Sequence, residues 1–237
     1  MNKFKIFSCA NYAYKSVALN WVRFLEENKI SDYEIYSLDL ECHQFLLNKG
    51  VNSILWNYKT KGFTDLCMQR WNIISNLLQN NENVIHSDLD AIWLGNPIED
   101  FIDLDYDAYV STVHDVGAYP SEIRKKWNMT ICCGWVSFKP SFKKVIDDFI
   151  INHNNYGGND QQKFNFYIDS LKKKLNFKID NHEFYFILHD FNVKMLGLNR
   201  DLIFRGDRKE NIKVCHPQTK PKADCETQLK RRGLWLL

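Results

Sequence analysis

The chain lacks any run of about 18 apolar residues, so no segment of it is suited to cross a bilayer as a helix. Its seven cysteines (Cys9, Cys42, Cys67, Cys132, Cys133, Cys215 and Cys225) include no CxxC pair and are odd in number. They indicate neither a disulfide framework nor a zinc ribbon, and they suit a reducing compartment. No sign of charge dominates: 31 Lys+Arg stand against 29 Asp+Glu, and a net +2 is too small for the basic footprint of a nucleic-acid binder. The opening residues turn polar again by Asn11, too soon for the apolar core of a signal peptide. Internal repeats and low-complexity linkers are also missing, which excludes an array. The expectation is a cytoplasmic protein with no integral membrane association and no nucleic-acid partner, in which the sequon Asn128-Met129-Thr130 is a chance match.

What is present is globular. With 45% hydrophobic and 14% aromatic residues, 237 positions can bury well over half of the unfolded surface, so disorder is excluded and no metal or disulfide staple is needed to fold. Strand and helix signals alternate through the first 90 residues. Lys3 to Ala10, Tyr33 to Leu38, Val51 to Trp56 and Asn83 to Ser87 read as strands. A stripe at Tyr14, Ala18, Trp21 and Leu25, a short helix over Cys42 to Lys49 closed by Gly50, and a helix capped by Thr64 with Cys67, Trp71, Ile74 and Leu78 inward lie between them. Successive βαβ units pack as a mostly parallel sheet covered by helices. Further on, Tyr106 to Val113, Cys132 to Phe138 and Ile212 to Val214 are strand-like. Ser141 caps a helix, Asn155 to Asn159 is a loop, and a helix from Asp160 closes on Lys172, Lys173 and Lys174. One α/β domain is expected.

The sharpest local pattern is Asp88-Leu89-Asp90 at the carboxyl end of the fourth strand, where ligands of open parallel sheets bind. In extended chain, residues i and i+2 share a face, so both carboxylates would point one way while Leu89 points into the core. Two such carboxylates repel unless a cation sits between them, and an oxygen-ligated ion such as Mn²⁺ or Mg²⁺ suits them; the bland alternative is a solvated polar strand end. His216, at the end of a late strand and followed by Lys220 and Lys222, is a candidate third ligand or a structural histidine. Asp160 and Gln161 open a helix and read equally as N-caps or as site residues. Arg70 reads as an exposed helix residue. Of Cys132 and Cys133, adjacent on a strand, at most one faces a given pocket, and His114, Tyr119 and Trp127 are core, rim or acceptor-stacking candidates.

Together these blocks resemble the nucleotide-diphospho-sugar transferases of GT-A fold, among them plant cell-wall xylosyltransferases and, more distantly, glycogenin and lipopolysaccharide galactosyltransferases. The resemblance runs from Ser8 to Trp235. It is carried by Asn11-Tyr12-Ala13, by Asn20-Trp21, by Asp88-Leu89-Asp90 with Trp93-Leu94 and Asn96-Pro97 behind it, by Cys133-Gly134-Trp135-Val136-Ser137-Phe138, by Asn159-Asp160-Gln161, and by His216. It implies a single GT-A domain over 1–237, with 1–95 the nucleotide-binding half and 96–237 the sugar and acceptor half carrying a C-terminal metal-binding segment. It implies a metal site of Asp88, Asp90 and His216 and a nucleotide and diphosphate site of Ser8, Asn11, Tyr12, Arg70, Asp88, Leu89, Asp90 and Lys220 or Lys222. Asp160 and Gln161 become the catalytic, sugar-facing pair. The implied reaction moves a sugar from a nucleoside-diphosphate donor, UDP favoured, to a glycan or other hydroxyl acceptor, with retention of configuration. The chain departs from the pattern at Cys132, where relatives carry Asn, and at Cys9-Ala10, where they often carry an acidic residue. Two alternatives are a haloacid-dehalogenase-like Mg²⁺ phosphohydrolase, which Ile92 and the late position of the motif disfavour, and a nucleotide-sugar-binding module without turnover.

Overall fold

Alternation of buried strands with one-sided helices builds the α/β fold expected: a large, mostly parallel central sheet flanked by helices. The computed structural model describes residues 4–56, 58, 62–115, 117–171, 174–178, 183–188, 190–206, 211–217 and 224–237. In chain order the elements are β1 (Phe4–Ala10), α1 (Lys15–Glu27), β2 (Tyr33–Ser37), α2 (Leu40–Asn48), β3 (Ser53–Leu55), α3 (Phe63–Gln79), β4 (Asn83–Ser87) and β5 (Ile92–Trp93). There follow β6 (Ala108–Val113), α4 (Ser121–Trp127), β7 (Thr130–Phe138), α5 (Lys143–Asn152) and α6 (Asp160–Leu171). The last are β8 (Lys174–Lys178), β9 (Glu183–Leu188), β10 (Val193–Gly197), β11 (Ile203–Arg205), β12 (Val214–His216) and α7 (Cys225–Arg231). No helix among the described residues is long and apolar enough to cross a membrane.

The chain divides into two compact units. One holds Lys5–Lys59, His86–Asp103 and Asp201–Leu237. Its strands run β3-β2-β1 and then the end of β4, with β1, β2 and β3 parallel, and a small sheet joins β11, β12 and β5. α1 buries Val17, Ala18, Trp21, Val22 and Leu25, the spacing of one helical face. Asn20, on the same helix and fully buried, donates to the Leu234 carbonyl at 3.0 Å and accepts from the Leu236 N–H at 2.8 Å, which ties down the carboxyl-terminal segment. Asp39 caps α2 by accepting the Cys42 N–H at 2.7 Å.

The other unit holds Thr60–Ile85 and Leu104–Arg200 together with the first residues of the chain. Its strand order is β4-β7-β6-β10-β9-β8; β10 lies parallel to β6, and the β6/β7, β9/β10 and β8/β9 ladders are antiparallel. Trp71 of α3 anchors its core. The indole stacks on Phe164 at 4.4 Å between ring centroids and meets Phe149 edge-on at 5.0 Å.

Three local expectations are corrected. Thr64 does not cap α3: the helix starts at Phe63, two residues earlier than that cap implies, after Gly62 at φ 155°, a conformation that glycine tolerates without strain. Nor does Ser141 cap α5, which begins at Lys143 behind a 3₁₀ turn over Pro140–Phe142, while the Ser141 hydroxyl donates to Asp107. Lys174 opens β8 instead of closing α6, and Lys172 and Lys173 lie outside the described residues.

Candidate functional site

β4 ends at Ser87, and the next residues turn: the Ala91 N–H donates to the Asp88 carbonyl at 2.9 Å. The acidic pair therefore converges through a turn and not through the alternation of extended chain, although Leu89 is buried as expected. The turn is anchored by Ser87, whose buried hydroxyl accepts from two indoles, Trp93 Nε1 at 2.9 Å and Trp21 Nε1 at 3.3 Å. A hydroxyl oxygen has two lone pairs, so one atom serves both donors. Past the turn, β5 pairs antiparallel with β12, Ile92 opposite Cys215 and Trp93 opposite Val214, and the Leu94 N–H donates to the Lys213 carbonyl at 2.7 Å. That ladder delivers His216, the last residue of β12, to the carboxylates.

Asp88, Asp90 and His216 each offer one ligand atom within 4.8 Å of the others. His216 Nε2 lies 3.2 Å from Asp90 Oδ1 and 3.9 Å from Asp88 Oδ2. The aspartate side chains are 30% and 18% exposed and the imidazole 7%, so the group is open on the carboxylate side and closed behind. Two oxygens and one imidazole nitrogen form a donor set that fits a Mn²⁺- or Mg²⁺-class ion, and three protein ligands leave octahedral positions for phosphate oxygens and water. Cys225, the first residue of α7, lies in the same field: burial foremost, then Asp90, Asp224 and Asp88, push its thiol up to about 12, so it stays protonated.

At the carboxyl end of β1 in the same unit, Ser8 Oγ and Asn11 Oδ1 are buried without a hydrogen-bond partner among the described residues. Leaving such atoms unsatisfied costs about 1–3 kcal/mol each, and strand ends of this kind are where α/β sheets take ligands. Beside them the Tyr12 N–H donates to Asp39 Oδ2 at 2.9 Å, and the exposed Tyr12 ring carries Lys15 Nζ 3.4 Å from its centroid. Lys220 and Lys222 lie outside the described residues.

Asp160, Gln161 and Arg70 come together in the other unit. The helix-capping reading of the first two is replaced. Asn159 and Gln162 cap α6 reciprocally, Asn159 Oδ1 accepting the Gln162 N–H at 3.0 Å and Gln162 Oε1 accepting the Asn159 N–H at 3.1 Å. Gly158 precedes this cap at φ 90°, a left-handed conformation that would strain any residue with a side chain. Asp160 is buried, and its Oδ2 meets Arg70 Nε at 3.1 Å and Trp71 Nε1 at 3.2 Å. Arg70 also donates to the Cys133 carbonyl at 3.0 Å, so it is not the exposed helix residue expected. Gln161 accepts from the Cys133 N–H at 3.3 Å and donates to the Tyr119 carbonyl at 3.3 Å. Cys132 and Cys133 are both buried in β7, and Trp127 is core, its indole donating to Asp169 at 3.1 Å.

Three residues were not singled out from the sequence as site residues: Ser87, Trp71, read only as core, and His86, whose Nε2 lies 3.1 Å from Asp88 Oδ1. The nearness of His86 and Ser87 to the acidic pair in sequence is the one signal that could have flagged two of them.

The family model described as nucleotide-diphospho-sugar transferase matches residues 28–220. Among curated proteins, a β-arabinofuranosyltransferase, RAY1 of Arabidopsis thaliana, is 28% identical over 109 residues, covering 41% of this chain; the match spans 20% of that relative's length. Among solved structures, a glycosyltransferase involved in glycosylation of the major capsid of PBCV-1 superposes with a TM-score of 0.59 at 12% identity, covering 98% of each chain. The galactosyltransferase LgtC, in complex with donor and acceptor sugar analogues, gives 0.56 at 11% identity over 99% of this chain and 97% of its own. Mouse xyloside xylosyltransferase 1 gives 0.56 at 10% identity over 90% and 97%. At these identities the structural likeness concerns the fold.

Proposed function

The chain belongs to the nucleotide-diphospho-sugar transferase family, and from that membership we propose that it transfers a sugar from a nucleoside-diphosphate donor to a hydroxyl of a glycan or similar acceptor. UDP is the favoured carrier, a divalent ion the favoured cofactor, and retention the favoured outcome. The observation that carries this reading is the convergence of Asp88, Asp90 and His216 within 4.8 Å. The phosphohydrolase alternative is set aside by the family match, and the module without turnover is decided by experiment.

When bound by those three side chains, a Mn²⁺ or Mg²⁺ ion supplies Lewis-acid stabilisation of the charge that builds on the departing diphosphate. The remaining work falls to the chain's own groups. Ser8 Oγ and Asn11 Oδ1, buried and unsatisfied, are suited to hydrogen-bond the nucleoside, with the Tyr12 ring beside them. Lys220 or Lys222 contributes a second positive charge to the diphosphate. Asp160 and Gln161 are assigned to the sugar: Arg70 and Trp71 hold Oδ2 of Asp160, which fixes the carboxylate in one orientation to support a developing oxocarbenium.

Thermal shift with UDP and GDP, each with and without Mn²⁺, tests the reading, followed by UDP release from UDP-sugars offered a sugar acceptor. A ligand at 100 times its dissociation constant adds about 2.7 kcal/mol, so a clear Mn²⁺-dependent shift with one nucleotide is expected, lost in Asp90→Ala. The absence of any Mn²⁺-dependent shift overturns the metal reading. A shift with no turnover against a panel of UDP- and GDP-sugars makes the chain a binding module.

A further inference from the structure

His86 stands inside β4, 2% exposed, with its ring 5.0 Å from that of Phe7. An imidazole in such a place is costly unless its polar atoms are met, and its Nε2 lies 3.1 Å from Asp88 Oδ1. A carboxylate only accepts hydrogen bonds, so the hydrogen of this contact belongs to the ring nitrogen. The two oxygens of Asp88 are thereby divided: Oδ1 is held from within the strand by His86, while Oδ2 is the oxygen that faces His216 Nε2 at 3.9 Å. Phe7 on the neighbouring strand β1 packs against the imidazole and limits its rotation.

Resting on the metal reading proposed above, we infer that His86 is a positioning residue that orients the Asp88 carboxylate so that a single oxygen, Oδ2, is presented to a divalent ion. It touches neither ion nor sugar. Its effect is that the Asp88 carboxylate does not have to be oriented when the ion arrives, which is how partners behind metal ligands raise affinity. The feature is peculiar to this site: Asp90 Oδ1, 3.2 Å from His216 Nε2, is oriented by an imidazole that is itself a candidate ligand, whereas the imidazole on Asp88 Oδ1 comes from behind.

The test is a Mn²⁺ titration of the full chain without nucleotide, followed by the loss of the free-ion electron paramagnetic resonance signal. His86→Phe keeps a ring against Phe7 and removes the N–H. His86→Gln places an amide N–H near the Nε2 position, and His86→Asn places it near Nδ1, too short to reach. The expected result is a dissociation constant raised about 10- to 100-fold in His86→Phe and His86→Asn, with His86→Gln within a few-fold of the parent chain. Thermal midpoints in EDTA serve as the folding control, and where His86→Phe fails to fold the Gln and Asn pair carries the comparison. Equal Mn²⁺ affinity in all variants, or a Gln variant as weak as the Asn variant, overturns the inference and leaves the proposed function standing. Failure of the parent chain to take up Mn²⁺ overturns the metal reading and this inference with it.

Discussion

Asp160 and the pair Asp88 and Asp90 are acidic groups treated in opposite ways. Asp160 is 6% exposed on its side chain and is met by a guanidinium and an indole, so its charge is compensated inside the unit that holds it. Asp88 and Asp90 are several times more exposed and are approached by imidazoles, while each repels the other. A compensated carboxylate is a fixed part. A crowded, half-open pair is an arrangement that a positive charge would relieve.

The strongest way to break this comparison is Arg70→Ala, which strips Asp160 of its cation in a site where the pair is 13% and 6% exposed. A loss of about 3–5 kcal/mol in urea unfolding is expected, and a loss below about 1 kcal/mol would show that the charge is screened by something else. Asp90→Asn should behave in the reverse manner. Stability in EDTA stays level or rises as the repulsion goes, while Mn²⁺-dependent sugar transfer falls about 100-fold or more in initial-rate assays. Ser87→Ala separates the turn from its supports by depriving Trp21 and Trp93 of their acceptor; a cost of about 2 kcal/mol in equilibrium unfolding is expected, with weaker Mn²⁺ binding in step. The smallest effect sharpens the contrast from the surface side. Lys126→Ala removes an ion pair to Asp169 from a lysine that is 56% exposed and should change unfolding free energy by less than about 1 kcal/mol.

Much of the fold is legible from local patterns. The alternation β1 to β4 follows from runs of buried residues separated by one-sided helices, and β4 itself spans the residues expected, Asn83–Ser87. What is not legible is set by partners distant in sequence. β8 to β10 escape because Lys174 suits a helix end as well as a strand start, and because β10 finds its place beside β6 through a parallel ladder that no local periodicity announces. The helix starts at Phe63 and Lys143 are decided by a glycine conformation and a 3₁₀ turn, which defeat the Ser/Thr capping rule. At the site, the acidic tripeptide and His216 are visible as residue types, and the structure brings them together. The geometric reason is different, a turn hung on Ser87. The partnership of Arg70 with Asp160 depends on α3 and α6 meeting across 90 positions, and nothing near Arg70 in the sequence points to it.

The double indole bond at Ser87 has a practical outcome. Trp21 and Trp93 both donate to the side chain of the residue that precedes Asp88, so two of the chain's own fluorophores are hydrogen-bonded to the neighbour of the carboxylate where the proposed ion would settle. Occupancy can be followed by intrinsic emission, with no label attached, and Trp21→Phe and Trp93→Phe would tell which helix or strand carries the signal.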